Sequence, residues 1–247
     1  MGLVEPVAGA PAATARLSDE RALVVADFHA GVEQALRADG VSIDSRAGER
    51  RERLLGLVER TAPDRVVFLG DLMQAIGDPG GAERGEIEVL LEELDARGVP
   101  ATLVKGNHDG AIESWAELTV TDGDGIRLGD VGFAHGHTWP APEVLSAEVV
   151  CVGHEHPAVR LEDAVGVSRV ERVWLRGSLA PEPFAERAVG VAENADLVVF
   201  PAFNDLVGAT WVNVPGQEFL SPFLPEGLVD GEAYLLDGTR LGDYQTV

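Results

Sequence analysis

Apolar runs of strand length alternate with amphipathic, charge-rich stretches through roughly the first hundred residues, and few architectures accept that pattern. Residues 22–26 (Ala22-Leu23-Val24-Val25-Ala26) read as a strand. Residues 45–60 carry Leu54, Leu55, Leu57 and Val58 among charges and read as a helix that Pro63 stops. A second strand is expected at 65–69, a second helix at 83–97 closed by Gly98 and Pro100, and a third strand at 101–104. This half predicts a doubly wound sheet of βα units. Asp78-Pro79-Gly80-Gly81 reads as a mobile loop. After about residue 117 the helices thin out. Residues 126–128 and 131–134, joined by Gly129-Asp130, carry a hairpin signal, and short strands are expected at 149–152, 173–175, 197–200 and 233–236. The second half is therefore expected to be richer in antiparallel structure. With 247 residues and 45% hydrophobic content the chain can bury one sizeable core, and 1–247 is read as a single domain. No run approaches the roughly 20 apolar residues of a bilayer span, and the N-terminus lacks a basic region followed by an apolar one. The expectation is a cytoplasmic protein with no membrane partner.

Five of the expected strands end in the same kind of chemistry. They run into Asp27-Phe28-His29, Gly70-Asp71, Gly106-Asn107-His108-Asp109, His135-Gly136-His137 and Gly153-His154-Glu155-His156, and these stretches hold all six histidines of the chain. Each alone is an ordinary turn; Gly-Asp and Gly-Asn pairs are common loop chemistry. Together they point to one site, because the carboxyl ends of strands in an open α/β sheet converge on a crevice. Cys151 is the lone cysteine, so any metal must be held by imidazole, carboxylate and amide oxygen, a donor set suited to Mn, Fe, Zn and similar ions. More candidate ligands are present than one ion can use. That surplus suggests two metals about 3.5–4 Å apart sharing a carboxylate.

In this order, Asp-x-His, Gly-Asp, Gly-Asn-His-Asp, His-Gly and Gly-His-x-His, the motifs resemble the calcineurin-like metallophosphoesterase superfamily, over most of the chain. Leu197-Val198-Val199-Phe200-Pro201-Ala202-Phe203-Asn204 with Val207-Gly208 is similar to a late motif of its SbcD-related, ICC-type branch, whose bacterial relatives include ligase-associated DNA-repair endonucleases. The resemblance implies a four-layer α/β sandwich, two mixed β-sheets packed together and flanked by helices. It implies two divalent ions, most consistent with Mn, with Fe, Zn or Ni as alternatives, and attack on phosphorus by a hydroxide bridging them. Asp27, His29 and His156 would hold the first metal, Asn107, His135 and His154 the second, and Asp71 would bridge. His108 would stabilise the transition state and protonate the leaving oxygen, with Asp109 orienting it. His137 has no family role and is left as a residue behind the ligands or at the surface; Glu155 is expected to be solvated. Nuclease relatives commonly carry a histidine three positions after the Gly-Asp aspartate. Gln74 stands there in this chain and is expected to contact substrate or His108, without a proton to carry near neutral pH.

The expected activity is metal-dependent hydrolysis of a phosphoester, with a phosphodiester as substrate. A DNA-repair nuclease is one alternative, and a catalytically weak metal-bound interaction module, with a protein partner the sequence does not specify, is another. The presence of His108 argues against the module. A net charge of −23 would ordinarily exclude nucleic acid. Here Lys105 is the only lysine and acidic residues are spread along the whole chain, a composition resembling that of salt-adapted, halophilic proteins. Under that reading the charge is generic and says little about the partner.

Overall fold

The computed structural model describes residues 2–162, 165–187 and 190–247. Among these residues, a six-stranded sheet runs in the order β1 (Val4–Pro6), β2 (Ala13–Leu17), β3 (Glu20–Ala26), β4 (Arg65–Leu69), β5 (Ala101–Val104), β6 (Thr119–Thr121). Strands β3 to β6 are parallel, and β1 and β2 extend the sheet antiparallel. A nine-stranded sheet is formed by β7 (Ile126–Leu128), β8 (Val131–Ala134), β9 (Val149–Val152), β10 (Pro157–Glu162), β11 (Ser168–Leu179), β12 (Asp196–Val199), β13 (Thr210–Trp211), β14 (Leu228–Leu235) and β15 (Arg240–Asp243). It too is mixed: β8, β9 and β12 pair in parallel, while β11 pairs antiparallel with β10, β12 and β14. The helices are α1 (Val32–Ala38), α2 (Ala47–Thr61), α3 (Gly81–Asp95) and the single turn α4 (Pro142–Leu145).

The strand sequences dictate the layering. In β3, Leu23 and Val25 face a core shared with Leu54 and Val58 of α2 and Ile87, Leu90 and Leu94 of α3. The intervening Ala22, Val24 and Ala26 face the other way, onto Phe133, Cys151, Trp174 and Val198 of the second sheet. Strands β9 and β12 alternate likewise: Cys151 and Val198 point into the space between sheets, Val150, Val152, Leu197 and Val199 into a third core with α4. Period-two burial on both faces of both sheets produces the four layers. The expected sandwich is observed.

One expectation is corrected. The first half is not doubly wound, because helices cover only one face of its sheet. Apolar residues on both faces of a strand demand that both be covered, and whether a helix or a second sheet does so is not written in the strand itself. Helix α3 begins at Gly81, taking in the last residue of the expected mobile loop; β11 extends well beyond 173–175 on both sides, and β14 begins five residues before the expected 233 and ends at Leu235. No helix among the described residues is long and apolar enough to cross a membrane.

Candidate metal centre

The parallel strands β3, β4 and β5 of one sheet and β8 and β9 of the other end on the same side, and each is followed at once by a loop bearing the expected residues. Main-chain bonds stitch the loops together: Asp27 N donates to Gly70 O, His29 N to Asp71 O, and Gly153 N to His135 O. The backbone is sharply turned at the site. Asp27, His29, Asp71, His154 and His156 all have positive φ, between 45° and 70°. A non-glycine residue held there costs about 1–3 kcal/mol and persists only where its surroundings over-determine it. Two glycines make room. A Cβ on Gly70, whose φ is 72°, would strike the His135 ring, and one on Gly106 would strike the Asp71 carboxylate. Gly106 is thus required by close approach rather than by positive φ.

Asp71 sits at the middle. Its Oδ2 lies 3.4 Å from His135 Nε2, 3.7 Å from His29 Nε2 and 4.0 Å from His108 Nε2. On one side, Asp27, His29 and His156 bring ligand atoms within 4.8 Å of one another, and on the other Asp71, His135 and His154 do so. Asn107 Oδ1 stands 3.2 Å from His135 Nε2, which adds the amide to the second group. All seven expected ligands therefore meet.

The donor chemistry fits divalent cations. His135 Nδ1 is 2.7 Å from Leu69 O and His156 Nδ1 is 2.8 Å from Gly208 O, so each ring's proton belongs on Nδ1 and its Nε2 lone pair faces inward. His156 Nε2 then lies 3.4 Å from His29 Nε2 and 3.4 Å from Asp27 Oδ1. Acceptors facing acceptors in a buried space require either a cation or bound protons. The titration behaviour agrees. Burial opposes ionisation of Asp71, but hydrogen bonding and charge from His135, then His29 and His108, hold it well below the usual carboxylate range. Asp27 is lowered too, burial being outweighed by His156 and His135. Burial pushes His29 and His154 down to about 4. Burial would lower His135 as well, yet Asp71 and then Asp27 bring it up to about 9, so in the absence of cations this ring takes up a proton.

His108 is placed differently from the ligands. Its Nδ1 is 2.5 Å from the main-chain oxygen of Gln74, which directs Nε2 toward the Asp71 side. Gln74 thus meets His108 through its backbone, a contact any residue at 74 supplies, while Gln74 also lines the cavity that opens over His29, His108 and His156. Asp109 accepts from Gly106 N at 2.7 Å and Met73 N at 3.1 Å. It ties the Asp71 loop to the Asn107 loop, so its hold on His108 runs through the backbone. Burial and then the Asp71 charge raise its carboxyl to about 6. His137 lies behind the second group, its ring centroid 5.3 Å from that of His135.

Glu155 corrects an expectation: it is buried, not solvated, and accepts from Ser221 N at 2.5 Å and Leu220 N at 3.0 Å. Positive φ at both flanking histidines turns them into the site and throws the residue between them to the opposite side, where those amides receive it. The sequence reading also missed the work of Asn204. Its amide nitrogen donates to Phe28 O and His29 O at 3.0 and 3.1 Å, clamping the first loop. Its place in the late motif was the available signal.

The family model for calcineurin-like phosphoesterases matches residues 20–145, half of the chain. Among solved structures the fold is similar to that of the nuclease MPE from Pseudomonas putida, with 17% identity, 96% of this chain and 100% of that one covered, and a TM-score of 0.55. YfcE, a phosphoesterase from E. coli, is similar at 22% identity over 58% of this chain and 74% of that one, with a TM-score of 0.37. No curated protein matches the sequence.

Proposed function

Since the chain belongs to the calcineurin-like phosphoesterase family, whose members hydrolyse phosphoester bonds with metal ions, we propose that this site cleaves phosphodiesters using two divalent ions, Mn²⁺ first among them. Asp27, His29 and His156 would hold one ion, Asn107, His135 and His154 the other, with Asp71 shared. The observation that carries this reading is the single carboxylate oxygen of Asp71 facing the Nε2 atoms of His29 and His135 at 3.7 and 3.4 Å, one from each group. Bound there, the ions would supply Lewis acidity and a water made nucleophilic near neutral pH.

The protein's own groups do the rest. The carboxylates and neutral imidazoles set the ions' positions, and Leu69 O and Gly208 O fix the orientation of two of the rings. As the attacking water gives up a proton to solvent and its oxygen bonds to phosphorus, the bond from phosphorus to the leaving oxygen breaks, and a proton on His108 Nε2 would pass to that oxygen. A nuclease is the second reading, supported by the fold likeness to nuclease MPE over 96% of this chain and 100% of that one. The acidic, lysine-poor composition supports salt adaptation. The test is turnover of bis(p-nitrophenyl) phosphate by Mn²⁺-loaded protein beside single- and double-stranded DNA. Hydrolysis of the small diester above that of DNA is expected; faster hydrolysis of DNA would put the nuclease reading first, and metal binding without turnover of either would favour the interaction module.

A further inference from the structure

A cavity of about 500 Å³ opens directly over His29, His108 and His156. One wall is α1, through Val32 and Leu36; the other is the 206–209 loop with Leu220. Leu220 is 56% exposed, an uncovered large aliphatic side chain at the mouth of a catalytic cleft. Among the described residues lining the cavity none is lysine or arginine, and the charged side chains are the carboxylates of Asp39 and the buried Glu155. Basic side chains on adjoining segments have carboxylate or main-chain partners. Arg46 pairs with Glu49 and Asp205, Arg53 donates to Phe203 O, Arg37 to Ile43 O, and Lys105 pairs with Glu113.

A nucleic-acid strand draws its affinity from Lys and Arg along its phosphates and from aromatic platforms under its bases. This wall offers neither: apart from the imidazoles at the metal centre, its apolar residues are aliphatic. An Asp39 carboxylate at the rim would repel a second phosphate. Building on the phosphoester reading, we propose that the substrate carries one phosphoryl group and an uncharged, aliphatic or aryl substituent that lies along Val32, Leu36, Leu206 and Leu220. The metal centre recognises the phosphoryl group and the cavity recognises the hydrocarbon. A pocket of this volume, mostly apolar with a few convergent polar groups, is of the kind that encloses a small organic moiety.

The test holds the chemistry fixed and varies the hydrocarbon. Mn²⁺-loaded protein is assayed with p-nitrophenyl phosphodiesters whose second ester is methyl, butyl or hexyl, and with a single-stranded oligonucleotide. Complete burial would raise kcat/KM about fourfold per methylene; a rise of at least about tenfold from methyl to hexyl is expected, with the oligonucleotide, per phosphodiester, below the hexyl ester. The Leu36→Ser/Leu220→Ser variant, checked for native circular dichroism, should lower the hexyl-to-methyl ratio; should it not fold, the wild-type series still decides. A flat or falling series, an unchanged ratio in the folded variant, or preference for the oligonucleotide overturns the proposal while leaving phosphoester hydrolysis intact. Absence of turnover with every ester overturns the phosphoester reading and this proposal with it.

Discussion

At the scale of single residues, the proposed roles separate metal holding from proton delivery. His108 is held through Nδ1 by Gln74 O and lies at the far edge of the Asp71 contacts. His108→Ala is therefore expected to keep the metal content of the wild type and to lower kcat by about 10²–10⁴; loss of an ion in metal analysis would mean the ring is a ligand. The proton on His135 gives a second prediction. Its folded pKa, about 9, lies above the ordinary value near 6.5, so for metal-free protein its stabilising contribution is present below about pH 6.5 and fades as pH rises through about 9. A cation must displace that proton, so Mn²⁺ affinity should climb over the same window. Calorimetric titrations at several pH values would show it, and a flat or falling affinity would contradict it. The histidines were legible because the chain has six and all follow apolar runs. Asn204 and Glu155 were not, since their partners are main-chain atoms distant in sequence, Phe28 and His29 for one, Leu220 and Ser221 for the other.

At the scale of elements, α1, α2 and α3 are joined under the site by one buried cation. Arg50 of α2 bonds both oxygens of Glu33 on α1, at 3.2 Å, and both of Glu86 on α3, at 2.8 and 2.9 Å. Glu86 also accepts from Gly31 N, in the loop that carries His29 into α1. Removing Arg50 strands two carboxylates, so Arg50→Ala should destabilise by about 3–5 kcal/mol in denaturant unfolding. A loss below about 1 kcal/mol would show that water reaches the triad. The elements themselves were read from apolar period and stop signals, which located β3 to β5, β7 to β9, parts of β11, β12 and β14, and α2 and α3. Strands β1, β2, β6, β10, β13 and β15 and helices α1 and α4 escaped: they are short or follow polar turns, and tertiary pairing rather than local pattern forms them. The late motif carries the rest of the legible signal, because β12 and the 200–204 segment lay Asn204 beside the first loop.

At the scale of the molecule, a net charge of −23 repels itself in dilute buffer, and salt should screen that repulsion. The melting temperature is expected to rise from dilute buffer to molar KCl; an unchanged or lower value would count against salt adaptation and restore the charge argument against nucleic acid. The fold meets this charge with two sheets whose carboxyl ends converge, so that loops from both halves close one centre. That convergence is why a family resemblance read from five short motifs could imply the layering, while the alternation of strands alone implied a doubly wound sheet. The claim that joins sequence, fold and function is that the centre holds two ions around Asp71. Metal analysis of protein saturated with Mn²⁺ and then desalted tests it most directly. The account predicts close to two ions per chain, falling in Asp71→Asn, whereas one ion per chain at saturation, unaffected by that substitution, would contradict it.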